Sequence, residues 1–351
     1  MGKTGQRVTV RAFVTGAVVM ASILGAVVQP ATAAPQKSDK PAKSSYKLSG
    51  KVNDQFTKKR DVSVNGSGGS GGRTGDFDRK GKEDILAVAH NPSSLYVYPN
   101  KGYNGANPTA TYGPAVAINH NWAGQRWVGQ GKINNDVHPD VLAIDFAGNL
   151  VVHKHSGTFA GTGTLNGSQL ISTGWNDYDI AFTSDADGNG LDDVIARKKG
   201  TEEYYWFGTV IDETGKIGQT EPVHIASFQS DSSIVDAGVA DFSGDGVYDW
   251  VLRRQDGLLF VFDPTVDNGE GQPKGKVYLL GYGWTGINAF VISDVNTDGD
   301  PDILGRVAAN GDLTAYLHTG VWNPTTDDTV FDTIAPSKVV GLQWNGHRII
   351  T

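Results

Sequence analysis

Short apolar runs, each opened by an aspartate, recur along this chain: "DILAV" from Asp84, "DVLAI" from Asp140, "DVIA" from Asp193, "DWVL" from Asp249 and "DILG" from Asp302. Each is followed by a turn and a second strand-like run. Runs this short and continuous predict strands covered on both faces. Several of the turns, Gly148-Asn149, Asp256-Gly257 and Asn310-Gly311, use dipeptides that suit the primed hairpin turns matching strand twist. The opening aspartates are spaced 56, 53, 56 and 53 residues apart. A period of that length holding several short strands predicts an all-β fold, a β-propeller of blades that bury their sheets against one another.

The ends of the chain give the blade count. "STGWNDYDIAFTS" precedes the third run, "GYGWTGINAFVIS" the fifth, and the chain stops at "GLQWNGHRIIT", the start of a further repeat cut short. The first run lacks such a lead-in and follows the glycine-rich "GSGGSGGRTG" instead. A C-terminal strand at 348–351 would therefore complete the first blade, closing a ring of five four-stranded blades and removing sheet edges.

Ahead of each run lies a loop rich in oxygen ligands. In "DADGNGLDD" the side chains of Asp185, Asp187, Asn189 and Asp193 fall at positions one, three, five and nine. Such crowded carboxylates repel unless a cation collects them, and hard oxygen donors suit calcium. The carbonyl of Leu191 at position seven is a further expected ligand, with Gly190 supplying the turn that aims it. The fourth loop offers Asp241, Ser243, Asp245, Val247 and Asp249, and the fifth Asp294, Asn296, Asp298, Asp300 and Asp302. Calcium is expected in these three. In the first loop Asp76, Asp78 and Asp84 remain but Lys80 stands at position five, so a fourth site there is open. In the second, Lys132 and Val137 replace the opening Asp and the Gly; no calcium is expected, and the ammonium is placed near Asp136 and Asp140 as an internal cation. An EF-hand is disfavoured, because position twelve of the third loop is Ala196 rather than Glu. Acidic turn residues that merely cap hairpins are the alternative for all five.

These loops resemble those of the FG-GAP or VCBS repeats, the blade units of integrin α-subunit propellers, and the "GWN" cadence is similar to that of secreted actinobacterial repeat proteins. The resemblance covers most of residues 74–351, with three of five loops matching in full. It implies calcium in the hairpin loops and a role in adhesion, sugar binding or display beside a separate catalytic domain. Integrin propellers have seven blades, so integrin-specific partner sites do not carry over.

Composition and charge narrow the function. Residues 1–33 carry Lys3, Arg7 and Arg11, then an apolar stretch and Ala31-Thr32-Ala33, the pattern of a cleaved secretory signal peptide, with an uncleaved membrane anchor as the alternative that the short stretch and its cleavage motif disfavour; a secreted protein without a transmembrane segment after cleavage is expected. With no cysteine, stability must come from a large core and metal loops. Residues 34–73 have a net charge of +6 and read as a flexible linker, with adhesion to anionic polymers as its alternative role; residues 74–351 have a net charge of −17. Nucleic acid is an unpromising partner for so acidic a ring. There is no H-E-x-x-H motif and no cysteine nucleophile, and "GGSGG" around Ser70 lacks a strand-to-helix context, so no enzymatic activity is expected.

Aromatic residues offer a second candidate site. Trp122, Trp175 and Trp284 each stand 18 residues before a ninth-position Asp, Trp344 takes the matching place at the C-terminus, and the fourth repeat has Asp231 there. Repeated indoles with Asn176 and Asn345 beside two of them would make sugar-binding platforms; the alternative is that each Trp wedges between blades as core. Two functions follow: a lectin-like module recognising carbohydrate or cell-surface ligands, or a scaffold that receives a protein partner such as a secreted enzyme or toxin. Open indole faces would favour sugar and buried ones the scaffold.

Overall fold

The computed structural model describes residues 48–53, 56–57, 75–266 and 275–351. It shows five small antiparallel sheets arranged as a five-bladed β-propeller. From the inner strand outward, blade I is His347–Ile350, Ile85–Ala89, Leu95–Tyr98 and Val116–Asn119; blade II is Gln125–Gly131, Asp140–Asp145, Leu150–His155 and Leu165–Ser172. Blade III is Tyr178–Ser184, Asp193–Lys198, Glu203–Phe207 and Val223–Ser230; blade IV is Ile234–Ala240, Asp249–Arg254, Leu259–Asp263 and Lys276–Gly281; blade V is Ile287–Ser293, Asp302–Val307, Leu313–Tyr316 and Lys338–Gly341. The C-terminal strand supplies the inner strand of blade I, as expected. Ala87 pairs with Ile350, and Leu86 and Thr351 exchange two backbone hydrogen bonds of 2.8 Å.

The burial of each strand follows the sequence pattern. The second strands Asp249–Arg254 and Asp302–Val307 are buried along their whole length, because neighbouring blades cover both faces. Between blades the cores are aliphatic and aromatic, as where Phe242, Val251, Leu280 and Trp284 of one side meet Phe290, Ile303 and Tyr316 of the other. The turn glycines have two reasons to be glycine. Gly148, Gly257 and Gly311 have φ of 84°, 82° and 77°, and their carbonyls accept the backbone N–H of Trp175, Trp284 and Trp344 as the next inter-blade loop docks on the turn. A Cβ at Gly311 would stand 2.7 Å from the backbone N of Asn345.

Two features depart from the sequence reading. Leu48–Val52, within the segment read as a flexible linker, is a strand that pairs with Val223–Ser230 and gives blade III a fifth strand. Its sequence, LSGKV, has too few apolar residues to announce a strand; pairing with an existing sheet edge creates it. Blade III also carries a small hairpin, Thr209–Ile211 with Ile217–Gln219, between its third and fourth strands. The expected signal peptide and most of residues 34–73 lie outside the described residues. No helix of the described residues is long and apolar enough to cross a membrane.

Candidate metal centres

Because every blade runs the same way, the loops from first to second strand all emerge on one face of the ring. The third-to-fourth-strand connections join them there, nine to twenty-one residues long, whereas the other face has links of three to five residues.

The ninth-position aspartates, Asp84, Asp140, Asp193, Asp249 and Asp302, are each 0 % exposed. In four blades one carboxylate oxygen accepts the N–H of a residue at the end of the third strand or two positions beyond it: Asn100 to Asp84 at 2.8 Å, His155 to Asp140 at 2.8 Å, Thr209 to Asp193 at 2.7 Å and His318 to Asp302 at 2.7 Å. The other oxygen accepts N–H groups from the second or third loop position, as from Phe77, Ala186, Ser243 and Val295. The opening aspartates turn the loop on itself: Asp76 accepts Lys80 and Gly81, Asp185 accepts Gly188 and Gly190, Asp241 accepts Gly244, Asp245 and Gly246, and Asp294 accepts Asp298 and Gly299. Backbone amides thus satisfy much of the acidity that the sequence presents as free for a metal.

Among the described residues, two acidic groups that could hold a metal ion remain. Asp76, Asp78 and Asp84 in the first loop, and Asp185, Asp187 and Asp193 in the third, each bring one carboxylate oxygen per residue within 4.8 Å of the others. All donors are hard oxygens, the set that suits calcium or magnesium. In the first loop Asp78 Oδ1 is buried without a hydrogen-bond partner, while Lys80 Nζ lies 2.5 Å from Asp78 Oδ2. In the third, Asn189 Nδ2 donates to Asp187 at 3.1 Å and its Oδ1 accepts the N–H of Leu191, whose side chain is buried.

Among the described residues the fourth and fifth loops form no such group of three. Thr265 Oγ1 donates to Asp245 at 2.8 Å and Asn296 Nδ2 to Asp298 at 2.6 Å, drawing these carboxylates aside. The N–H of Val247 donates to Asp245, and Ser243 Oγ is buried without a partner. Asp300 lies 3.7 Å from His318 Nδ1. In the second loop the expected internal cation is corrected. No ion pair of Lys132 is found among the described residues; its backbone N donates to Asp192, Arg79 donates to the carbonyl of Val137 at 2.7 Å, and Lys154 is the cation whose charge acts on Asp140.

Burial sets the protonation of the ninth aspartates. Loss of water pushes Asp84, Asp140 and Asp193 up to about 7 and Asp302 up to about 8. Asp249 is held well above the carboxylate range by burial first and by the neighbouring Asp263 second.

The indoles are core. Trp122, Trp175, Trp284 and Trp344 are 3 %, 2 %, 0 % and 5 % exposed. Each packs on the third strand of its blade: Trp122 on His153, Trp175 on Phe207, Trp284 on Tyr316 and Trp344 on Tyr98, with ring centroids 4.3–4.8 Å apart. None of these four indoles keeps a face open for a pyranose, so at these positions the wedge replaces the sugar platform. Asn176 and Asn345 lie close over the turn glycines Gly148 and Gly311.

A repeated arginine escaped the sequence reading. At every blade boundary one guanidinium donates to a carbonyl of the next inter-blade loop or the strand start beyond it. Arg126 reaches Trp175, Arg197 reaches Ile234, Arg253 reaches Trp284, Arg306 reaches Trp344 and His347, and Arg348 reaches Trp122 and Gln125. The signal was present as spacing. Arg197, Arg253 and Arg306 stand four residues after a ninth-position Asp, and Arg126 and Arg348 four after a Trp. No protein-family model matches this chain, and no curated protein is similar to it in sequence.

Proposed function

We propose that the protein is a secreted, non-catalytic binding module of the FG-GAP or VCBS kind, a calcium-stabilised propeller whose loop face receives a protein partner. The observation that carries this reading is the asymmetry of the ring. One face gathers both acidic triads and all five long connections, and the other has tight turns. Variable loops on a rigid frame are where binding residues concentrate. The buried indoles remove the feature that favoured carbohydrate over a protein ligand.

Calcium would be held by Asp76, Asp78 and Asp84, and by Asp185, Asp187 and Asp193. When bound it would neutralise carboxylates that otherwise lie too close together, and so lock both loops. Calorimetric titration of calcium into chelator-treated protein tests the cation: dissociation constants of about 10⁻⁴ to 10⁻³ M are expected, with one site lost in Asp187→Asn. Absence of heat and of thermal stabilisation at millimolar calcium would reject it. For the partner, Val210→Asp and Val321→Asp on the loop face should abolish capture of a protein from the medium in which the chain is secreted, and Phe146→Asp on the turn face should not. The reverse result would place the binding surface on the other side.

A further inference from the structure

The outermost strand of each blade is a sheet edge, and an open edge is a template for another chain. Four edges are covered by the third-to-fourth-strand connection of the next blade. Val116–Asn119 packs against Gly161–Gly163, and Lys338–Gly341 against Pro108–Ala110. Leu165–Ser172 meets the small hairpin, with Gln169 Nε2 donating to the Ile217 carbonyl at 2.5 Å and Ser172 Oγ to Gln219 at 2.7 Å. Lys276–Gly281 is bridged through Leu279, whose N–H donates to Asp328 and whose carbonyl accepts Val330.

Blade III is covered differently. Its edge Val223–Ser230 is paired from Leu48↔Ser230 to Val52↔Ala226 with a strand that belongs to no blade repeat and is tethered to blade I by residues 54–74. Leu48, Gly50 and Val52 alternate with the exposed Ser49 and Lys51, and Val52 is 2 % exposed. Gly50 is dictated by the acceptor: a Cβ there would lie 2.4 Å from Phe228 Cδ1 and 3.2 Å from Phe262 Cε2. Beside the strand runs a cavity of about 300 Å³ lined by Leu48, Phe260, Phe262, Val277 and Leu279 among others.

We propose that the outer edge of blade III is a strand-acceptor site for an extended peptide of the pattern apolar-x-Gly-x-apolar, and that Leu48–Val52 is its resident occupant, displaceable by a partner's strand of that pattern. Ladder hydrogen bonds would provide affinity for any extended chain, while Phe228 and Phe262 would impose the glycine. The resident strand is suited to displacement. Within the strand only Val52 is fully buried, and beyond it the hold comes from the Asn53 N–H on the Ile225 carbonyl and Phe56 edge-on to Trp206; these few contacts at the rim place the strand at the low end of local stability. Its tether gives it an effective concentration of about millimolar, which blocks weaker competitors. The site lies at the rim, apart from the acidic loops, and does not rest on the cation reading.

The test uses the full chain. Gly50→Val should evict the resident strand and leave residues 75–351 unaltered. A labelled peptide of residues 46–57 is then titrated by fluorescence anisotropy, with hydrogen exchange read at Val223–Ser230. The Gly50→Val chain should bind the peptide at least about tenfold more tightly than the wild-type chain, and edge amides exposed by the substitution should regain protection. The same peptide carrying Gly50→Val should not bind. Should Gly50→Val yield too little folded protein, Val52→Asp removes the buried anchor from the same strand. Equal peptide binding by wild-type and variant chains, or edge amides that stay protected in the variant, would overturn the proposal.

Discussion

Chelated protein should lose stability as the pH rises from 6 to 8. Asp84, Asp140 and Asp193 have folded values near 7 against an ordinary value of 3.8. A carboxyl raised in this way holds more protons folded than unfolded between those limits. Its stabilising contribution is therefore complete below the unfolded value and lost as pH climbs through the folded one. For a group at 7 the loss between pH 6 and 8 is about 1.4 kcal/mol, and for Asp302, pushed up to about 8, about 2.3 kcal/mol, so the four together lose about 6.5 kcal/mol. In a ring of this size that is on the order of 10 °C in melting temperature. Calcium reverses the term at Asp84 and Asp193, which belong to the acidic triads, but not at Asp140 or Asp302. Millimolar calcium should thus remove part of the fall, raise the melting temperature more at pH 8 than at pH 6, and release protons on binding at pH 7. Asp140→Asn should shrink the fall in chelator and leave the calcium response intact. Scanning calorimetry at fixed ionic strength measures all of these; a melting temperature in chelator that is flat or rises from pH 6 to 8 would refute the burial reasoning.

Three substitutions probe the ring itself. Arg306→Ala takes the guanidinium from the His347 carbonyl and from Asn288, while the Trp344 carbonyl keeps the His347 N–H, and should cost about 1–3 kcal/mol in urea unfolding, the loss expected for one unpaired buried group; Arg306→Lys should recover part of it. Gly311→Ala meets both a positive φ and the backbone of Asn345 and should destabilise by more than the ~1 kcal/mol of a simple left-handed position. Trp284→Ala, at a fully buried wedge, should cost about 3–5 kcal/mol and leave calcium affinity unchanged within twofold.

The ring was legible because its signal repeats. Five apolar runs on a fixed beat and a truncated C-terminal repeat are enough to infer both blade number and closure, and the pairing of Ala87 with Ile350 is the outcome. Features that depend on a partner in another repeat were not. An indole reads alike as platform or wedge until His153, Phe207, Tyr316 or Tyr98 is seen against it. Arginine is ordinarily an exposed charge, so Arg306 gave no hint that it would be 7 % exposed beneath the next blade's loop. Leu48–Val52 has little intrinsic strand preference and acquires its conformation from the edge it covers.

The acidic loops show why a ligand pattern and a ligand site are different things. Position nine is Asp in all five loops, buried in each, and in four it ties the loop to the end of the third strand. That use needs no cation. The second loop bears this out: with Lys132 and Val137 in place of Asp and Gly it still delivers Asp140 to the N–H of His155. Positions one, three and five vary instead, through Lys132, Asn134, Ser243 and Lys80. Repetition along the chain thus marks the residue that builds the blade, and departure from repetition marks where the cation chemistry can differ from loop to loop. By that logic Lys80→Asn should strengthen calcium binding at the first loop, since it removes the ammonium from Asp78 and restores an oxygen at position five. Unchanged affinity in that variant would mean that Asp78 is held by the fold rather than by Lys80.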